Sequence, residues 1–272
     1  MTQTRRRTCI FCSAANVSKE HLWSSWLHPH LAAYRTPAFD EVTQTYSGSA
    51  PVGVHRKSRE GWSANKRVRV VCRDCNSGWM NRIEAAARPY LMPLVEGRGV
   101  TLSDEAVERV VRWIVLKVLV CEHMQPNEYT TPLAERVAFK EHGTVPNHFR
   151  VHLGDSGDML WGGLYERHSA NLRRSDRRGP EVMTPRNIQV VSLGVGRLFI
   201  NVIASREVEW DDLFVHHDGG VFPVVHPLDR KWLSWPPQRR LTLEEMNRIS
   251  GALDTLLRED RRIKWQTEEP GA

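Results

Sequence analysis

The stretches Cys9-Ile10-Phe11-Cys12 and Cys72-Arg73-Asp74-Cys75 decide the fold of the first part of this chain. Each is a Cys-x-x-Cys pair, in which a tight turn lets both sulfurs approach the same point. We call the two turns the first and the second knuckle. If the fold brings them together, they provide the four thiolates of a tetrahedral structural zinc site. The predicted Zn²⁺ ligands are Cys9, Cys12, Cys72 and Cys75.

Periodic segments beside the knuckles predict the elements that hold them. A short strand is predicted over residues 17–20, and the alternation over residues 67–71 predicts a strand that ends at the second knuckle. A helix is predicted from Asn76 to Ala87, ending near Pro89 because proline disfavours helix in the residue before it. Strands, knuckles and helix in this arrangement predict a treble clef around zinc.

Less regular sequence separates the two predicted strands. Residues 22–31 predict a helical turn or two, with Trp23, Trp26 and Leu27 facing inward. Residues 32–64 are rich in Ser, Thr, Gly and Pro and lack periodicity, which predicts an inserted loop or an irregular hairpin.

Residues 98–272 predict a second α+β domain of unknown role, which follows a zinc-binding domain over residues 1–97. Ser103 is suited to cap a long amphipathic helix, and Thr242-Leu-Glu-Glu245 is a capping box. The other predicted elements are a helix at 132–141, a helix at 242–259, and strands at 149–153, 159–165, 188–195 and 197–204.

Composition narrows the class of protein. The chain has 272 residues, of which 40% are hydrophobic, as is typical of a globular protein. Its net charge of +6 fits a polyanionic partner such as nucleic acid, but basic proteins without such a partner are common. The most apolar stretch, residues 107–120, is interrupted by charges, so no membrane span is predicted. Only Cys121 lies outside the knuckles, and no signal peptide is recognisable. We predict a cytoplasmic protein, with homo-oligomerisation left open.

Three polar residues beside the knuckles carry candidate chemistry. Glu20 and His21 follow the first knuckle, and Asn76 follows the second. A carboxylate and an amide oxygen are ligands that suit Mg²⁺ or Mn²⁺. A neutral imidazole beside such an ion can accept a proton from water and so create a nucleophile for a phosphodiester.

At these residues the chain resembles the HNH endonuclease superfamily. The family pattern is an acidic residue before histidine, a middle asparagine, and Cys-x-x-Cys followed by asparagine or histidine. This chain has Glu20-His21 and then Cys72-Arg-Asp-Cys75-Asn76. It departs from the pattern at Arg67, where the family often has its middle asparagine, and at Ser24, where a proline is common. The resemblance covers about the first third of the chain.

The resemblance implies a ββα-metal core with His21 as general base. It implies that Glu20 and Asn76 hold a catalytic Mg²⁺ or Mn²⁺, separate from the structural zinc of the four cysteines. The implied activity is metal-dependent hydrolysis of nucleic acid phosphodiester bonds, and we expect the substrate to be DNA.

Two basic segments are candidates for contact with a phosphate backbone. One is the N-terminal arm and the other a loop in the second half, where a solvated charge run is an equally good interpretation. The candidate residues are Arg5, Arg6, Arg7, Arg173, Arg174, Arg177 and Arg178.

Two other interpretations remain. The first is a non-catalytic zinc-binding module for nucleic acid or protein, in which the HNH-like core is only a scaffold. The second is a different zinc enzyme that uses His28 or His216, although no constellation of residues supports it. His30, His123 and His217 are more simply explained as surface, packing or turn residues.

Overall fold

The computed structural model is of the α+β class, as predicted. It describes seven stretches of the chain: residues 8–47, 50–125, 128–174, 185–206, 222–227, 232–259 and 263–265. Among the described residues, no helix is both long and apolar enough to cross a bilayer.

Two antiparallel strands join the knuckles. Strand β1 (Val17–His21) pairs with a later strand over Arg67–Cys72, so that Val17 lies opposite Cys72 and His21 opposite Arg67. The register shifts between Ser18 and Glu20, which leaves an extra residue in the second strand. Both predicted strands are confirmed.

Between these strands the chain is more regular than the sequence indicates. A 3₁₀ turn (Ser25–Leu27), α1 (His28–Leu31) and a 3₁₀ turn (Ala32–Tyr34) come first. Strands β2 (Ala38–Ser47) and β3 (Ala50–Glu60) then form an antiparallel two-stranded ribbon, and a 3₁₀ turn (Ser63–Asn65) leads into β4, the strand over Arg67–Cys72. The described side chains of β3 are exposed, so no alternation of apolar and polar residues marks the strand.

The helix after the second knuckle continues beyond its predicted end. It consists of α2 (Arg73–Cys75), a segment over Asn76–Met80 that is kinked at Gly78, where φ is −92° and ψ is −108°, and α3 (Asn81–Glu96). The prediction that it ends near Pro89 is wrong, because both Pro89 and Pro93 lie inside α3. Burial of an apolar face on both sides of the prolines compensates for the missing backbone donors. The helix ends at Gly97, whose φ of 68° is left-handed.

The second half begins with a long buried helix. Strand β5 (Val100–Ser103) leads into α4 (Asp104–Cys121), and the Ser103 side chain caps it by accepting a hydrogen bond from the Ala106 amide. Helix α5 (Leu133–His142) follows. Both helices confirm the prediction. Residues of α3 and α4 pack together in one apolar core that also includes both knuckles, so buried residues on both sides of the predicted boundary at residue 97 belong to the same cluster.

A five-stranded antiparallel sheet covers α4. Its strand order is β11-β6-β10-β9-β7, and every residue of β9 and β10 is buried. The strands are β6 (Phe149–Asp155), β7 (Trp161–Ala170), β9 (Ile188–Gly196), β10 (Leu198–Ser205) and β11 (Val224–His226). Two smaller pairs join β12 (Trp232–Trp235) to β5 and β13 (Ile263–Trp265) to β8 (Leu172–Arg174).

The predicted final helix consists of two helices. They are α6 (Leu243–Ser250), which opens with the predicted capping box at Thr242 and Glu245, and α7 (Ala252–Glu259). Helix α7 is held to β7 by His168, whose ring contacts Asp254 at 3.0 Å and Glu166 at 2.9 Å.

The His168 contacts predict a pH-dependent stability. Burial lowers the pKa of His168, but the hydrogen bonds and charges of Asp254 and Glu166 outweigh burial and raise it to about 9. The stabilisation is therefore fully present below an unfolded pKa of about 6.5 and is lost as the pH rises towards 9. We expect the urea midpoint of the wild type to fall more over this interval than that of His168→Gln. Parallel pH profiles for the two proteins would contradict the prediction.

Candidate metal centre and adjoining cleft

The four knuckle cysteines come together in the structure. Their sulfurs lie within 4.8 Å of one another, although Cys9 and Cys75 are far apart in sequence. The Cys12 and Cys72 sulfurs are 3.5 Å apart, and the Cys75 and Cys12 sulfurs 3.7 Å apart. Tetrahedral coordination with Zn–S bonds of about 2.3 Å requires sulfur separations of about 3.8 Å. The cluster therefore fits a metal ion such as zinc, and the sequence prediction of these ligands is confirmed to that extent.

Backbone hydrogen bonds shape the two knuckles. In the first, the Ser13 amide donates to the Cys9 carbonyl, and the Ile10 amide donates to Val70 of β4. In the second, the Cys75 amide donates to the Cys72 sulfur at 3.4 Å. The hydrogen bond from Ile10 holds the first knuckle against β4, the strand that ends at Cys72 in the second knuckle. The sulfurs of the two knuckles therefore lie close together.

Burial and hydrogen bonds shift the pKa values of the cluster's thiols in different directions. Burial raises the pKa of the Cys75 thiol well above its ordinary value. At Cys9 burial also raises the thiol pKa, but backbone amides of Cys72, Phe11 and Cys12 outweigh it and lower the pKa. A dication at the centre of the four sulfurs would stabilise every thiolate, since a coordinated thiol loses its proton.

An open cleft of about 460 Å³ lies beside the cysteine cluster. All three residues singled out from the sequence, Glu20, His21 and Asn76, line it. Strand β1 contributes the first two, and the segment after the second knuckle contributes the third. The rest of the lining is polar: Ser18, Ser24, Ser25, Arg73, Ser77, Asn81 and Glu84.

His21 is held by Arg67, the residue that stands in place of the family's asparagine. The Arg67 Nε donates a hydrogen bond of 2.8 Å to Nε2 of His21. Because Nε2 accepts, the neutral ring carries its proton on Nδ1. Burial lowers the pKa of His21, and the charges of Arg67 and Lys117 lower it further. The imidazole is therefore neutral near pH 7.

The Glu20 carboxylate points inward from β1. It accepts a hydrogen bond of 2.9 Å from Nζ of Lys117, and the same ammonium lies 2.6 Å from the carboxylate of Glu84. Lys117 is only 1% exposed, and it also donates to the His21 carbonyl at 3.2 Å. The carboxylate of Glu84 in addition accepts from Ser24 Oγ at 2.7 Å. A buried ammonium thus holds two carboxylates beneath the cleft.

Asn76 has its oxygen available for a ligand. Its Nδ2 donates a hydrogen bond of 3.4 Å to Ser18 Oγ, which fixes the side-chain amide at the edge of β1. The carboxylates of Glu20 and Glu84 and the amides of Asn76 and Asn81 line the same cleft. Such an oxygen-rich set fits Mg²⁺ or Mn²⁺ by its chemistry, although one oxygen of Glu20 is already bonded to Lys117.

Sequence reasoning missed Lys117 and Glu84. Lys117 interrupts an apolar helical face, and a lysine at such a position is rarely buried unless it is paired. That interruption was the available signal, but the partners, Glu20 and Glu84, lie in other elements.

The other histidine and arginine candidates that the structure describes do not line the cleft. His28 contacts the His21 ring edge to face, with centroids 5.6 Å apart, and His30 pairs with Glu96. His123 contacts Arg136 of α5, which explains it as a packing residue. Arg173 and Arg174 lie in β8. The other basic and histidine candidates fall outside the described residues: Arg5, Arg6, Arg7, Arg177, Arg178, His216 and His217.

The Lys117 contacts predict a large loss of stability on substitution. Lys117→Met removes the cation and leaves Glu20 and Glu84 buried without a counter-charge, which costs about 3–5 kcal/mol. Urea unfolding measures the effect. Lys57→Met, in the exposed ribbon, is the matched control and is expected to change stability by less than about 0.5 kcal/mol. Adding Glu20→Gln and Glu84→Gln to Lys117→Met should recover part of the loss; equal stability of Lys117→Met and wild type would contradict the ion-pair assignment.

Comparisons with known proteins give no relative. No protein-family model matches the chain, and neither the curated proteins nor the solved structures contain a significant match.

Proposed function

We propose that this protein is a metal-dependent endonuclease of the HNH type that hydrolyses phosphodiester bonds in nucleic acid, with DNA as its expected substrate. The observation that carries the proposal is the shared cleft. Glu20, His21 and Asn76 stand at three positions of the family motif, which the chain leaves at Arg67 and Ser24, and all three line one cleft beside a four-cysteine cluster. A treble clef with structural Zn²⁺ at Cys9, Cys12, Cys72 and Cys75 is part of the proposal.

His21 is the proposed general base. It is neutral near pH 7, as a base must be, because burial and neighbouring cations lower its pKa. In the structure its Nε2 lone pair is occupied by the hydrogen bond from Arg67. A substrate phosphate is a stronger acceptor for a guanidinium than an imidazole nitrogen is. We therefore expect Arg67 to turn to the phosphate, which frees Nε2 to accept the proton of the attacking water.

Glu20 and Asn76 would hold the catalytic Mg²⁺ or Mn²⁺. When bound, the ion offsets negative charge that develops on the phosphate and the leaving oxygen. Asn76 is positioned for this by its hydrogen bond to Ser18, and Glu20 by its hydrogen bond to Lys117. Lys117 thus acts as a positioning residue for the carboxylate and, through the His21 carbonyl, for the end of β1.

One observation favours a second candidate function, a non-catalytic zinc module. The Glu20 carboxylate already has a buried cationic partner in Lys117, and the His21 Nε2 already accepts a hydrogen bond from the exposed Arg67. A scaffold that has lost its chemistry would show the same internal pairing. The two candidates therefore differ in whether these pairs yield to a metal ion and a phosphate.

A cleavage assay tests the proposal. Purified zinc-loaded protein is incubated with supercoiled plasmid DNA, linear duplex DNA and RNA, each with added Mg²⁺, added Mn²⁺ or no added divalent ion. The nuclease proposal expects cleavage that depends on the added ion and needs a higher ion concentration in Asn76→Ala. Absence of ion-dependent cleavage of all three substrates would leave the zinc-module function.

A further inference from the structure

Strands β1 and β4, which border the candidate cleft, have their acidic side chain on the buried face and basic side chains on the exposed face. Glu20 and the valines of β4 are buried, and Glu20 is neutralised by Lys117. The exposed side chains include Lys19 of β1 and Arg67 and Arg69 of β4. The register places Lys19 opposite the extra residue of β4, next to Arg69. No carboxylate is exposed on either strand.

Arg73 extends this positive face beyond the end of β4. It is exposed and lines the cleft. We call the four residues the cationic strip: Lys19, Arg67, Arg69 and Arg73. Asp74 is the one acidic residue between positions 67 and 75. In the described part of the chain, Lys19, Arg69 and Arg73 form no ion pair, whereas Arg109 and Arg112 of α4 and Arg239, which precedes α6, each pair with a carboxylate.

The strip reaches the cleft at two places. Arg73 lines the cleft directly, and Arg67 is hydrogen-bonded to His21, which also lines it. A polymer that lies along the strip would therefore pass the proposed general base. Strand β4 runs from Arg67 to Cys72, and an extended strand rises about 3.3 Å per residue, so β4 is about 17 Å long. Successive base pairs rise about 3.4 Å along duplex DNA, so β4 matches about five base-pair steps, and Arg73 follows it as the first residue of α2.

We propose that the cationic strip binds the phosphate backbone of nucleic acid and guides it to the cleft. The proposal rests on the proposed function and assigns its substrate contact to β1, β4 and the second knuckle. It places this contact at residues that sequence reasoning did not select, since the expected basic segments were the N-terminal arm and the segment that contains Arg173, Arg174, Arg177 and Arg178. Neighbouring exposed cations on β1, β4 and the start of α2, with no exposed carboxylate on either strand, fit a regularly spaced polyanion better than a folded acidic surface.

Salt-dependent binding tests the proposal. A fluorescently labelled 20-base-pair duplex is titrated with zinc-loaded protein at several salt concentrations, without added divalent ions, and anisotropy gives the affinity. In the strip variant, Lys19→Gln/Arg69→Gln/Arg73→Gln, three phosphate contacts are lost. The slope of log affinity against log salt should become less steep by about 2.7, and affinity at 0.1 M salt should fall roughly 500-fold.

A matched control separates the strip from net charge. Arg98→Gln/Arg109→Gln/Arg240→Gln also removes three exposed cations, each of which pairs with a carboxylate elsewhere on the surface. This control should keep the wild-type slope. Zinc content is measured for both variants, because Arg73 lies between two of the knuckle cysteines.

The outcomes distinguish the strip from the nuclease activity. Equal slopes for wild type, strip variant and control would overturn the strip, even if the wild type cleaves DNA. A loss of slope confined to the strip variant would support it, even if no cleavage is seen with Mg²⁺ or Mn²⁺. Polyglutamate and vesicles containing phosphatidylserine are tested in parallel. Tighter strip-dependent binding to either than to the duplex would overturn the assignment to nucleic acid.

Discussion

Cys72→Ser is expected to release the bound zinc ion and to destabilise the fold by an amount on the order of 10 kcal/mol. The free energy of binding at a four-thiolate site is also folding free energy, because the site does not exist in the unfolded chain. Cys72 has three roles that the substitution removes or weakens. Its sulfur lies 3.5 Å from that of Cys12, it accepts the Cys75 amide, and it ends β4 opposite Val17.

Elemental analysis and urea unfolding measure this effect. One Zn²⁺ per chain is expected in the wild type and none in Cys72→Ser. Cys121→Ala is the matched control, because Cys121 is equally buried but lies outside the cluster. It should retain the metal and lose only the small transfer and cavity cost of one sulfur. A wild type that is well folded and free of metal would contradict the zinc assignment.

His21→Ala is expected to lower the rate of cleavage by roughly two to four orders of magnitude, the usual contribution of a positioned general base. The loss should appear in the rate and not in binding, because the cysteine cluster and three members of the cationic strip, Lys19, Arg69 and Arg73, do not depend on the imidazole. Zinc content and duplex affinity should therefore match the wild type within a few fold.

His55→Ala is the control for the His21 substitution, because His55 is an exposed histidine of the β2–β3 ribbon. It should cleave as the wild type does. Single-turnover rates at saturating Mg²⁺ or Mn²⁺ separate the chemical step from metal affinity. If wild type and His21→Ala cleave DNA and RNA equally poorly, the core is a scaffold and the zinc-module function is correct.

Local chemistry allowed much of the fold around the knuckles to be predicted. A Cys-x-x-Cys turn, a strand that alternates into Cys72 and a serine cap at Ser103 each depend on residues that are close in sequence. The same holds for the capping box at Thr242. These elements were predicted because the interactions that create them lie within a few residues.

The errors arise where tertiary packing outweighs local preference. Pro89 disfavours helix in the residue before it, yet α3 continues because Leu91 and Leu94 are buried against the core. The ribbon β2–β3 was expected to be an inserted loop or an irregular hairpin, because its sequence shows no period of apolar residues, and the described side chains of β3 are exposed. Its pairing depends on cross-strand hydrogen bonds, which the sequence pattern does not reveal.

In the candidate site too, residues positioned by local sequence were predicted and residues positioned by tertiary packing were not. Cys9, Cys12, Cys72 and Cys75, and the three residues of the motif, were found from sequence because the knuckles fix their positions. Lys117 was not found, because its carboxylate partners are contributed by β1 and α3, which meet α4 only in the folded chain.

Arg136 of α5 ties the first knuckle to the second half of the chain. Its Nε donates a hydrogen bond of 2.9 Å to the carbonyl of Ile10, and it also holds the carbonyl of Thr131. Ile10 lies between two of the cysteines, so the shape of the metal centre depends on a helix more than a hundred positions later. We therefore expect zinc affinity and the folding of the second half to be thermodynamically linked. Excising residues 1–97 would yield a fragment whose metal centre has lost part of its own scaffold.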